Sequence, residues 1–113
     1  MLILRHKVSI YVARPEHIQP VARMLSDAFG GATAQPTQGF WIMSDGSLAI
    51  DPTHIVYSFT PEAVSLDHPV VQEAIKFIFA NSSEESVAIE VDGTMFILDR
   101  AEVLAQIQSS EVA

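Results

Sequence analysis

The chain has 113 residues, no cysteine and a formal net charge of −8 at neutral pH, a length that suits one hydrophobic core burying roughly two-thirds of the surface the unfolded chain exposes. The missing thiols exclude disulfides, iron–sulfur clusters, thiolate zinc sites and thiol nucleophiles, and the negative charge argues against direct binding to nucleic-acid phosphates. Apolar residues still make up 49% of the sequence and the mean hydropathy is +0.27, an excess that predicts a face covered by a second copy or another partner.

The predicted elements run as follows. Lys7 to Ala13 alternates as a strand, with Val8, Ile10 and Val12 on one face and Lys7, Ser9 and Tyr11 on the other, until Arg14-Pro15 ends it. Ile18, Val21, Ala22, Leu25, Ala28 and Phe29 keep the spacing of a helical stripe, with Pro20 in the first turn and Gly30-Gly31 as the stop. A loop follows from Ala32, then a strand around Phe40-Trp41-Ile42-Met43, a turn at Asp45-Gly46 and a return through Leu48 to Ile50. Asp51-Pro52 reads as a break or bulge, after which His54 to Phe59 resumes as strand.

Asp67 is the expected N-cap of a second helix whose stripe is Val71, Ala74, Ile75 and Ile78, widened by Phe77 and Phe79. Val87 to Val91 and Thr94 to Leu98 form a hairpin about Asp92-Gly93. A last helix over 99–108 has a capping-box spacing at Asp99 and Glu102, and Leu98 and Val103 sit as a hydrophobic staple. Val103, Leu104 and Ile107 form its stripe, and residues 109–113 are expected to fray.

The order β-α-β-β-α-β-β-α predicts one α+β domain over 1–113, with a ferredoxin-like split βαβ core and hairpin over 7–98. Right-handed crossovers place both core helices on one face of an antiparallel sheet and leave the other face open for the apolar excess. The charge is uneven along this order. Up to Pro61, Arg5, Lys7, Arg14 and Arg23 cancel Glu16, Asp27, Asp45 and Asp51, whereas ten acids from Glu62 onward face only Lys76 and Arg100. The apolar opening Met1 to Leu4 is cut by Arg5, too short for the core of a secretion signal. No apolar run nears the ~20 residues that span a bilayer, so a cytoplasmic location and no membrane partner are expected.

Phe29-Gly30-Gly31-Ala32-Thr33, Gly39-Phe40-Trp41 and Val56-Tyr57-Ser58, with the later Ala88-Ile89-Glu90-Val91-Asp92-Gly93, resemble a family of small prokaryotic proteins of bacteria and mobile elements. The likeness spans Arg5 to Leu98. It departs from the family pattern in offering Asp51 where a glutamate precedes the Val-Tyr-Ser strand, and in adding a helix after Asp99. The resemblance implies the fold and a bacterial or phage setting. It implies no activity.

Several constellations bear on function. The Gly30-Gly31 loop follows a helix, the wrong polarity for a phosphate cradle. His6, His17, His54 and His68 lack metal-ligand spacing, no G-x-S-x-G elbow occurs, and no cofactor motif is present. Trp41, Tyr57 and Tyr11, with His54 and Asp51 nearby, are the candidates for a ligand pocket or an interface. Glu84, Glu85, Glu90 and Asp92 are the candidates for an acidic docking surface. The expectation is a non-enzymatic interaction protein, a homodimer engaging a protein partner as an acidic phage-type inhibitor. The alternative is a small-molecule binder or cofactor-free enzyme with a dimeric pocket near Trp41, Tyr57 and His54, where His54 or Asp51 would act as general base.

Overall fold

A computed structural model describes residues 1–112, with side chains as far as Gln106. The strands are β1 (His6–Val12), β2 (Thr33–Ile42), β3 (Leu48–Thr60), β4 (Ser86–Val91) and β5 (Thr94–Asp99), and the helices α1 (Ile18–Phe29), α2 (Pro69–Ala80) and α3 (Arg100–Val112). One sheet runs β2-β3-β1-β4-β5, antiparallel at every junction. This is the expected ferredoxin-like order, with β5 added beyond β4.

Strand alternation decides what the helices cover. Val8, Ile10 and Val12 of β1 share a face with Val56, Val87 and Ile89, and all are buried with Val21 and Leu25 of α1 and Val71, Ala74, Ile75 and Ile78 of α2. Ala28, counted in the α1 stripe, is exposed. Gly30 ends α1 at φ +92°, its N–H bonded to Ser26 O at 2.8 Å, a left-handed conformation that favours glycine.

Three local expectations are corrected. Strand β2 starts at Thr33, well before Phe40, and β3 passes through Asp51-Pro52 without a break. Over 48–53, before His54, β3 has a neighbour only in β2, and β2 is itself an edge strand. Each proline, Pro36 and Pro52, thus has a vacant side on which its missing N–H is harmless. The cap of α2 is His68 rather than Asp67: its Nδ1 accepts the Val70 N–H at 3.1 Å. The backbone of helix α3 runs to Val112, with no glycine or proline in 101–112. The side chains of 107–113, including Ile107, and the whole of Ala113 lie outside the described residues.

The apolar excess is divided: Phe59, Met95 and Ile97 are exposed on the open face as expected, and a second group lies away from it. Phe40, Trp41, Ile42, Met43, Leu48 and Ile50 are all exposed, as are Met95, Phe96 and Ile97 of the edge strand β5. The second group, Phe40 to Ile50, belongs to a two-stranded ribbon, residues 37–42 against 48–53, that overhangs the sheet by roughly 20 Å. No helix reaches it, so its greasy side chains stay bare.

Two polar devices tie the fold together. Arg100, at the start of α3, donates from its guanidinium to the carbonyls of Glu84 (2.8 Å), Phe79 (2.9 Å) and Ser82 (2.7 Å), and its backbone N–H reaches Glu85 O. It also lies 5.0 Å from the Phe79 ring centre. A carbonyl of the last turn of α2 and two in the α2–β4 connection thereby gain a charged donor. Arg100→Ala is expected to lower unfolding stability by about 2 kcal/mol, and Arg100→Lys to recover only part of it, since an ammonium cannot fork; urea titration measures both.

Asp92 forms the other device. It heads the β4–β5 turn at φ +49° with Gly93 at +87°, the pairing of a tight hairpin turn. Its carboxylate accepts the Lys7 N–H and the His6 Nδ1, each at 2.8 Å. The Lys7 amide first, and then His6, hold its pKa below the usual carboxylate range. A depressed folded pKa contributes stability that is complete above the ordinary Asp value and is lost as pH falls through the folded one. Asp92→Asn should therefore flatten the decline of stability below about pH 4. An equally steep decline in the variant, followed by chemical unfolding at several pH values, would contradict this.

Candidate functional site

The face that no helix covers carries the other parity of each strand. On β1 these residues are Lys7, Ser9 and Tyr11; on β3, Ile55, Tyr57 and Phe59; on β4, Glu90. Ser9 lies opposite Tyr57 on one side and Glu90 on the other. The Lys7 ammonium stands 4.3 Å from the Tyr57 ring centre and 5.6 Å from that of Phe59. The two rings meet edge to face at 5.9 Å. This geometry seats a cation on an aromatic face.

Next to these rings lies a pocket of about 450 Å³, open to solvent. Its walls are Phe29 to Thr33, Tyr57 to Phe59, and Leu2 and Leu4 of the leading segment. Local sequence explains how segments so far apart in the chain meet. Gly30 turns the chain out of α1, Thr33 then pairs with Tyr57, and the Ser58 hydroxyl donates to Gly31 O at 2.6 Å. The loop is latched to β3, and aromatic side chains form part of the pocket wall.

The structure brings some of the sequence candidates together and separates others. Tyr11 and Tyr57 are diagonal neighbours on the open face. Trp41 shares that parity but pairs with Ala49, eight residues from Tyr57 along β3, a separation of about 26 Å. Asp51, opposite Gly39, is beside Trp41 in the ribbon. His54 is on the helix side, opposite Val12 and Pro36, and its buried Nδ1 has no partner. One chain therefore holds no pocket containing Trp41, Tyr57 and His54.

The four acids do not form one patch either. Glu84 and Glu85 precede β4, Asp92 follows it, and Glu90 points to the open face. Lys7, Ser9 and Phe59 were not singled out from sequence. The signal for the first two is the polar parity of β1, present in the alternation of Lys7 to Ala13.

Two further depressions are likewise open to solvent. A groove of about 590 Å³ between α1 and α2 is lined by Arg23, Asp27, His68 and Glu73 among others, with Arg23 and Asp27 paired to each other at 3.0 Å. A smaller one of about 300 Å³ lies by Thr60 to Val64. Among the described residues no three His, Asp or Glu side chains group as metal ligands, and no helix is long and apolar enough to cross a membrane.

No family profile and no curated protein matches the chain. Solved structures do. A phage SAM lyase in complex with S-methyl-5′-thioadenosine is similar with a TM-score of 0.60 and 16% identity, over 88% of this chain and 95% of that one. CutA from Synechococcus elongatus is similar with a TM-score of 0.50 and 12% identity, over 94% of this chain and 89% of that one. At such identities the likeness establishes the fold alone. That architecture also occurs in an enzyme, which corrects the expectation of a non-enzymatic interaction protein. The small-molecule alternative is the reading it favours.

Proposed function

We propose that this chain is a cofactor-free enzyme acting on a small adenosyl-sulfur molecule, in the manner of a lyase on S-adenosylmethionine (SAM). The observation that carries the reading is the Lys7–Tyr57–Phe59 arrangement beside the Gly30–Phe59 pocket. Rings that hold an ammonium also suit a sulfonium, and the aromatic and aliphatic side chains that line the pocket suit a nucleoside. The net charge of −8 favours the encounter with a cationic substrate.

Cleaving a carbon–sulfur bond of a sulfonium returns the bonding pair to sulfur and leaves a neutral thioether. The carbon is completed by loss of a neighbouring proton or by an internal nucleophile, so neither an oxidant nor a reductant is required. The neighbour's bound S-methyl-5′-thioadenosine is the thioether such a cleavage leaves.

The resemblance to small proteins of bacteria and mobile elements belongs to the same proposal, because two of the segments that carry it, Phe29 to Thr33 and Tyr57-Ser58, line this pocket. The setting is then the cytoplasm of a bacterium or of a phage-infected cell. We infer in addition that the working form is a homodimer, in which the bare ribbon is covered by the second copy.

The test is incubation of the purified protein with SAM, followed by chromatography. Consumption of SAM with matching release of S-methyl-5′-thioadenosine, faster than spontaneous breakdown, is expected. Unchanged SAM at stoichiometric protein, with no calorimetric binding of either compound, would remove the proposal.

A further inference from the structure

Ser9 is wholly buried although it faces the side of the sheet that no helix covers. Side chains of its neighbours on that face must therefore close over it. Its hydroxyl has no hydrogen-bond partner. A hydroxyl withdrawn from water and left unpaired opposes folding, and alanine would fill a similar space without that penalty. The hydroxyl calls for something that it binds.

Its surroundings indicate what. Glu90 is directly across on β4, Tyr57 directly across on β3, and Lys7 and Tyr11 lie two residues away on β1. Lys7 and Glu90 are thus diagonal neighbours about 7–8 Å apart on one face. They make no ion pair with each other; Lys7 rests on the Tyr57 ring instead. A cation and an anion held apart beside an unpaired hydroxyl complement a zwitterion. Lys7 matches a carboxylate, Glu90 an ammonium, and the Ser9 hydroxyl donates to a carboxylate oxygen.

We propose that Lys7, Ser9 and Glu90 bind the α-amino-acid end of the ligand whose adenosyl end occupies the Gly30–Phe59 pocket. This rests on the function proposed above and names the part of the substrate that the pocket leaves free. Tyr57 borders both regions. A sulfonium taking its ring face releases Lys7 toward the carboxylate. SAM is then recognised at both ends, and S-methyl-5′-thioadenosine, which has no amino-acid end, at one.

The experiment compares S-adenosylhomocysteine, which keeps the amino-acid end, with S-methyl-5′-thioadenosine by calorimetry on the wild type and on Lys7→Gln, Glu90→Gln and Ser9→Ala. Lys7→Gln and Glu90→Gln should each weaken S-adenosylhomocysteine by about ten-fold or more and S-methyl-5′-thioadenosine by less than about two-fold. Ser9→Ala should raise the thermal midpoint while weakening S-adenosylhomocysteine. Two charge variants at separate strands guard against one of them failing to fold. If both ligands weaken together, or neither does, the assignment of the amino-acid end is overturned and the enzyme reading is untouched. If the wild type binds neither adenosyl compound, the enzyme reading fails. L-methionine then decides the site alone: amide shifts at Ser9 and Glu90 in nuclear magnetic resonance spectra sustain it, and their absence overturns it.

Discussion

Tyr57→Ala is expected to weaken SAM binding by about 100-fold, the equivalent of about 3 kcal/mol. Roughly 1–2 kcal/mol of this is the cation–aromatic contact, and the remainder is lost stacking and apolar burial in the pocket wall. The fold should survive, because Tyr57 is half-buried on the open face and outside the buried cluster. A cross-strand pair on such a face is worth only about 0.2–1 kcal/mol. Tyr57→Phe keeps the ring and should stay close to wild type. Calorimetry with SAM, or a Michaelis analysis where turnover is seen, reads the effect. Equal binding by Tyr57→Ala and wild type would show that the ring takes no part.

The second large effect concerns the ribbon. Phe40 and Ile50 are directly opposite each other and 56% and 59% exposed. An isolated two-stranded ribbon is marginal in water, so leaving these side chains bare makes sense only if another surface covers them. Changing both at once, Phe40→Lys with Ile50→Asp, replaces the apolar pair with an opposite-charge pair that still supports the strands. Each buried side chain contributes about 1.5–3 kcal/mol. Self-association should therefore weaken by about 100- to 10,000-fold, with little change in the thermal midpoint of the dilute protein. Sedimentation equilibrium measures this. A wild-type chain that stays monomeric at tens of micromolar would contradict the homodimer and leave the ribbon unexplained.

Which parts of this were legible beforehand follows from where side-chain periodicity was strong. The burial of Val8, Ile10 and Val12, the α1 stripe ending at Gly30, and the Asp92-Gly93 turn could all be read, because each couples a repeating apolar spacing to a residue with restricted or unusual backbone freedom. The first half of β2, Thr33 to Gly39, could not. It is polar, contains Pro36, and is held as strand by its ladder to β3 rather than by any pattern of its own. The same ladder carries β3 through Asp51-Pro52. Sequence offered a break there because it could not reveal that one side of the strand is vacant.

The site suffered from the same gap. Trp41 and Tyr57 fall on adjacent strands with His54 nearby, which suggests one site, but an uninterrupted strand is a long object. Its straightness puts Trp41 far from Tyr57, and its alternation puts His54 on the opposite face. Conversely, Phe29 to Thr33 and Tyr57-Ser58 stood out only as motifs, and their meeting depends on the turn at Gly30 and the Ser58–Gly31 hydrogen bond. Lys7 and Ser9 lacked any motif. What distinguishes them is a ring beneath an ammonium and a hydroxyl without a partner, which are properties of packing.

Mapping amide shifts by nuclear magnetic resonance as S-methyl-5′-thioadenosine is added tests the location of the site most directly. The largest movements are expected at Gly30, Gly31, Thr33, Tyr57 and Phe59. Movements gathered instead around Arg23 and His68 in the groove between α1 and α2, or none at saturating ligand, would contradict a site built on the Tyr57 ring.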